Sequence, residues 1–189
     1  MLPPGTLLKI GNLNNEIIEV VGNINDPLSD EKISLSVFNK NDEFNEECEA
    51  EALAWGDEVD AAMYPQRVDL RELPFCTIDP VDAKDFDDAI YFDEKKREIY
   101  VAIADVSEYV TPYSPIDAEA KTRGFSIYFP HKAVPMLPRN LSENICSLKP
   151  NAARLAFCFK ITIDENDEVV KEELLKALIA SNSFSSSSN

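Results

Sequence analysis

The chain has one histidine among its 189 residues. Chemistry that needs two imidazoles is therefore excluded, and a Ser-His-Asp triad would have to use His131 alone. The prolines around His131 place it on a surface loop. The four cysteines, Cys48, Cys76, Cys146 and Cys158, are widely spaced and form no CxxC pair. That fits neither a zinc site nor a disulfide scaffold and leaves reduced thiols. No apolar run approaches the ~18 residues of a membrane helix. The opening MLPPGTLLKI lacks the charged n-region and long apolar stretch of a signal peptide. A cytoplasmic protein with no membrane partner is the expectation. Basic residues are also scarce: 18 Lys and Arg stand against 35 Asp and Glu, for a net charge of −17. Such a chain is poorly suited to holding nucleic acid by bulk electrostatics.

What is present is ordinary globular material, 44% hydrophobic and 28% charged, enough for one domain or two small ones. The charge is uneven. Residues 41–60 carry nine acidic residues and no basic one. Residues 121–160 carry Lys121, Arg123, Lys132, Arg139, Lys149, Arg154 and Lys160 against Glu143 alone. The basic window reads either as a surface facing a polyanion or as ordinary solvated charge.

The pattern predicts an α+β fold. Thr6–Ile10 and Glu16–Ile24 read as strands around a turn at Asn14-Asn15. Ile33, Leu35 and Val37 alternate with serines, which predicts a half-buried strand. Phe44, Cys48 and Ala52 recur at i, i+4 and i+8, a helix with an acidic outer face closed by Gly56. Asp88–Phe92 and Glu98–Ala104 are strands joined by a charged turn. Ser114, Pro115 and Asp117 open a helix that Gly124 ends. Ser126–Phe129 is a short strand, and Pro130, Pro135 and Pro138 make the following stretch a loop. Leu155–Ile163 alternates as a strand, and Glu168–Ala180 is its return arm. Ser181–Asn189 is polar and of low complexity, a tail unable to support a core.

Residues 76–91, CTIDPVDAKDFDDAIY, hold five aspartates within ten positions: Asp79, Asp82, Asp85, Asp87 and Asp88. They sit between a strand ending near Ile78 and one beginning at Ala89, a place where a scaffold commonly presents functional groups. Two carboxylates ~4 Å apart at an effective dielectric of ~20 repel by about 4 kcal/mol. Convergent aspartates must therefore hold protons or a cation. Oxygen-only ligands suit magnesium or manganese. A calcium loop of the EF-hand type would need a glycine, and this loop has none. From spacing alone, a solvated acidic turn and a metal site both stay open.

Longer strings extend the reading. Arg67–Pro74 (RVDLRELP), Thr77-Ile78-Asp79-Pro80 and Asp85-Phe86-Asp87-Asp88-Ala89 resemble the signature of the ribonuclease II/ribonuclease R (RNB) family. The likeness continues through VAIADVSEYV, TRGFSIYFP, PMLPRNLSENICSL and RLAF, in order, over about residues 66–180. Residues 1–64 are similar to the end of a cold-shock, OB-like domain with a linking helix. The resemblance divides the chain into that remnant (1–64), the N-terminal part of a catalytic domain (65–180) and a Ser-rich tail (181–189).

The resemblance implies a magnesium-dependent hydrolytic 3′→5′ exoribonuclease, with manganese an alternative ion, releasing nucleoside 5′-monophosphates. Its substrate is single-stranded RNA or RNA with a 3′ overhang. Asp79, Asp85, Asp87 and Asp88 match the family's active-site aspartates, and Asp87 the one most closely tied to the chemical step. Asp82 falls where the family varies. Tyr128 matches an aromatic that stacks on a base near the 3′ end, and the basic window becomes part of an RNA channel wall. The family's catalytic domain continues well past the length seen here, so the missing C-terminal half is an expected partner. A catalytically inactive RNA- or metal-binding fragment is the alternative.

Overall fold

A computed structural model describes residues 1–80 and 83–182. The described residues divide into two compact units: Met1–Asn45 with Glu119–Met136, and those of Glu46–Ala118 with those from Leu137 onward.

In the first unit, β1 (Thr6–Ile10) and β2 (Ile17–Asn23) form an antiparallel hairpin. Asn15 takes the left-handed conformation of the connecting turn, with φ 53°, which asparagine tolerates better than most residues. Gly22 is required for a different reason: a Cβ there would lie 2.7 Å from the Ser29 side chain. The strand expected at Ile33–Val37 is instead part of a helix, α1 (Asp30–Val37). Its start is encoded just upstream. The Asp26 side chain accepts from the Leu28 N–H at the head of a short helical turn opened by Pro27, and Asp30 and Glu31 occupy the first turn of α1. Five alternating residues are too few to separate the two periods, and those start signals decide.

The second unit begins with α2 (Glu46–Ala54), which buries Cys48 and Ala52 completely. Gly56 follows at φ 68°, as the helix end requires. A mixed sheet fills the rest. It is built from β3 (Val68–Asp69), β4 (Phe75–Cys76), β5 (Asp88–Asp93) and β6 (Glu98–Ala104). Past the excursion into the first unit, β9 (Ala153–Ile163) and β10 (Val169–Asn182) complete it. The pairings β4–β5–β6–β9–β10–β4 close a barrel, with β3 and β4 both parallel to β10 and the other pairs antiparallel. A small barrel has a narrow interior. Alanines at 89, 102, 156 and 177 supply the room into which Phe75, Tyr100 and Ile179 fit.

The opposite faces of the same strands carry an apolar row in register, Ile90, Val101, Phe159 and Leu174. Ile90, Phe159 and Leu174 are all exposed.

The helix α3 (Pro115–Arg123) opens as its sequence predicts, with the Ser114 hydroxyl accepting from the Asp117 N–H at 3.3 Å. Two differences follow it. The stretch expected to be loop contains β8 (Ala133–Val134), which pairs with β7 (Ile127–Tyr128) in the first unit. Leu141–Ile145 forms a π-helical turn with Leu141 and Ile145 buried. The tail also begins later than its composition suggests. Ser181 and Asn182 belong to β10, and Ser181 is buried, its hydroxyl donating to the Leu148 carbonyl at 2.6 Å. A serine can close a core when its hydroxyl finds such an acceptor. The rest of the Ser-rich stretch, 183–189, lies outside the described residues. Among the described residues no helix is long and apolar enough to cross a membrane.

Candidate active site

Four of the five aspartates lie on or beside one connection of the barrel unit. Asp79 follows β4, Asp85 and Asp87 lie in the segment before β5, and Asp88 is the first residue of β5, paired with Ile103. Asp82 lies outside the described residues. All four are exposed, whereas Phe86, between Asp85 and Asp87, packs against the barrel core. Phe86 is thus anchored inward while Asp85 and Asp87 on either side of it are exposed.

The backbone beneath these carboxylates is held from outside the loop. The Ser147 hydroxyl accepts from the Phe86 N–H at 2.9 Å and donates to the Lys84 carbonyl at 2.8 Å. The Leu148 N–H donates to the Phe86 carbonyl, and the Ala104 N–H to the Asp87 carbonyl, each at 2.9 Å.

Asp87 is the electrostatic centre of the group. Partial burial, then the negative charges of Asp85, Asp88 and Asp79, push its carboxyl above the usual aspartate range. The four predicted carboxylates thus share one field. They do not form a closed cage: among the described residues no three His, Cys, Asp or Glu side chains come close enough to hold a metal ion as they stand. Sharing one small ion at ~2.1 Å per oxygen needs tighter convergence than electrostatic influence does.

Tyr128 stands on β7 in the other unit and is 73% exposed, so it does not serve as a core strand aromatic. The basic window is largely used internally. Arg123 is buried, bonded to Glu119 and to the carbonyls of Glu43 and Pro135, with the Phe44 ring 3.6 Å away. Arg154 is buried and donates to the Ser147 and Ala153 carbonyls. Lys132 pairs with Glu31 and Asp42, Lys160 with Glu98, and Arg139 with Glu143. The channel-wall expectation concerns the window as a whole and no particular side chain; within it, the buried guanidinium groups of Arg123 and Arg154 are spent on carbonyls. His131 is exposed as expected and contacts Glu31 at 2.6 Å.

Sequence reading missed Ser147, sixty-odd residues from the loop it holds, and nothing in the string around it marks that role. It also missed a buried ion cluster in which Arg67 Nη2 meets Asp105 and Glu108, each at 2.6 Å.

Residues 67–188 match the RNB domain model, and the chain belongs to that family. Residues 1–35 match the model of the ribonuclease R second OB domain. Among curated proteins, the chain is 45% identical over 163 residues to Ribonuclease R of Helicobacter pylori, covering 86% of this chain and 25% of that protein. Against Ribonuclease R of Escherichia coli it is 46% identical over 118 residues, 61% of this chain and 14% of the other. The chain therefore spans a quarter or less of these two relatives. Among solved structures, Mycoplasma genitalium RNase R in complex with double-stranded RNA matches with a TM-score of 0.82 and 34% identity, over 96% of this chain and 35% of that one. Yeast Ssd1, described as a pseudonuclease, matches at a TM-score of 0.70 but 16% identity, over 87% of this chain and 22% of that one, and shares the fold alone.

Proposed function

We propose that the chain is part of the catalytic region of a ribonuclease R-type enzyme. That enzyme would be a cytoplasmic, hydrolytic 3′→5′ exoribonuclease that degrades RNA to nucleoside 5′-monophosphates. The observation that carries the reading is placement: the aspartates matching the family's motif, Asp79, Asp85, Asp87 and Asp88, lie exposed on or beside one connection of the barrel unit, where burial, then the charges of Asp85, Asp88 and Asp79, raises the pKa of Asp87. An all-carboxylate donor set in a shared negative field fits a hard divalent ion, magnesium or manganese, by charge and by ligand chemistry. Asp79, Asp85, Asp87 and Asp88 are the residues that would hold it.

A bound magnesium ion supplies Lewis-acid activation of water and neutralises phosphate charge. The chain's own residues do the rest. The carboxylates set the place where the scissile phosphate can approach a strongly acidic surface. By its match to the family's motif, Asp87 is the carboxylate most closely tied to the chemical step. Tyr128 offers an exposed ring for stacking on a base of single-stranded RNA or a 3′ overhang. The RNA complexes among the solved neighbours support this class of partner.

A second reading, an inactive fragment that binds metal or RNA, is favoured by the open spacing of the described carboxylates. Digestion of a labelled 3′-overhang RNA separates the two. The enzyme reading expects magnesium-dependent release of 5′-mononucleotides, abolished by EDTA and lowered at least about 100-fold in Asp87→Asn. Intact RNA at saturating magnesium favours the inactive fragment.

A further inference from the structure

We infer that Ser147 is the positioning residue of the aspartate loop, a single buried hydroxyl that sets the spacing of Asp85 and Asp87. The inference rests on the metal-site reading above and names a group that determines the geometry of that site. Ser147 is 1% exposed. Its oxygen bonds to both Lys84 and Phe86, the two residues flanking Asp85, accepting from one N–H and donating to one carbonyl. In a strand those groups would be met by a neighbouring backbone. Here one side chain meets both part-buried groups, and backbone groups shielded from water without partners would be costly. The next residue continues the clamp, its N–H reaching the Phe86 carbonyl.

Ser147 is itself fixed. Its carbonyl accepts from the Arg154 side chain at 2.9 Å and from the Lys149 N–H at 2.7 Å. The Leu148 carbonyl accepts from the Ser181 hydroxyl. The like charges at 85, 87 and 88 repel one another, so a loop presenting them together needs a restraint on its backbone. Ser147 and Leu148 supply it at residues 84 and 86, and Ala104 at residue 87.

The test compares Ser147→Ala, Ser147→Thr and Tyr100→Phe in the full chain. Tyr100→Phe removes another buried-ring hydrogen bond of the same unit, to Glu98, and leaves the loop untouched. Two readouts are taken: manganese affinity by calorimetry, and hydrogen exchange of the Phe86 amide. Ser147→Ala should weaken manganese binding about 10-fold and speed Phe86 exchange at least about 10-fold. Ser147→Thr should recover most of both, and Tyr100→Phe should leave both near wild type. Wild-type affinity and slow Phe86 exchange in Ser147→Ala overturn the inference. So does an equal loss of affinity in Tyr100→Phe, which would mark general destabilisation. No saturable manganese binding by the wild-type chain overturns the metal-site reading itself and with it the positioning of a metal site. Phe86 exchange still shows separately whether the hydroxyl pins the loop.

Discussion

Two stretches of this chain are dense in carboxylate, and they use it differently. In residues 41–60 several of the acids are spent on holding the fold. Glu51 accepts from the Ile116 N–H at 2.9 Å, Asp57 from the Asn144 side chain, and Asp60 from the Ala62 N–H. Glu46, Glu47 and Glu49 sit in the first turn of α2, where the helix dipole favours negative charge. In the described part of the 79–88 segment the backbone is held by Ser147, Leu148 and Ala104, while Asp79, Asp85, Asp87 and Asp88 are exposed and the charges of the other three act on Asp87. Acidic density alone therefore says little. Function is signalled where carboxylates are crowded by a restrained backbone without being consumed by it.

Asp105 marks the other limit of that contrast, an aspartate fully buried yet matched by a cation. Replacing Arg67 with alanine would leave Asp105 buried without its guanidinium, and this should have the largest effect, about 3–5 kcal/mol of unfolding free energy. Denaturant titration measures it; a loss under about 1 kcal/mol would show that the cluster relaxes into water. Glu51→Ala should cost about 1 kcal/mol, as loss of a capping acceptor does, without changing metal affinity. A change in manganese binding by that variant would erase the distinction between the two acidic stretches.

The smallest effect concerns protons. Asp87 has a folded-state pKa above its unfolded value, so the folded protein holds that proton more tightly. Stability is favoured at low pH, falls as pH rises from the ordinary aspartate value of about 4 through the raised one, and stays lower above it. Asp87→Asn should remove this slope and, without added metal at pH 7, raise the melting temperature by about 1–2 °C. A pH profile of melting identical in both proteins would show that neither burial nor the neighbouring carboxylates raise the pKa of Asp87.

Much of this was legible in the sequence. The barrel strands show in the alternation of Leu155, Phe157, Phe159 and Ile161, and α3 in its Ser114-Pro115 opening. The family was visible because its motifs recur in order over about residues 66–180, and the role proposed for Asp79, Asp85, Asp87 and Asp88 rests on that resemblance. Other features depend on contacts a local pattern cannot show. Helix α1 looked like a strand because Ile33, Leu35 and Val37 fit both periods over so short a run. Arg123 and Arg154 looked like surface charge because only the folded chain reveals the carbonyls they serve. Ser147 lies within the family string PMLPRNLSENICSL, but its role is not marked there, since its partners at 84 and 86 are distant in sequence.

The central claim is that Asp79, Asp85, Asp87 and Asp88 together take a divalent cation. Thermal melting of wild type and Asp87→Asn across a magnesium titration tests it most directly. A ligand at about 100 times its dissociation constant stabilises by about 2.7 kcal/mol, so the wild-type transition should climb by several degrees and saturate, while the variant's stays flat. Superimposable wild-type curves with and without magnesium would contradict it.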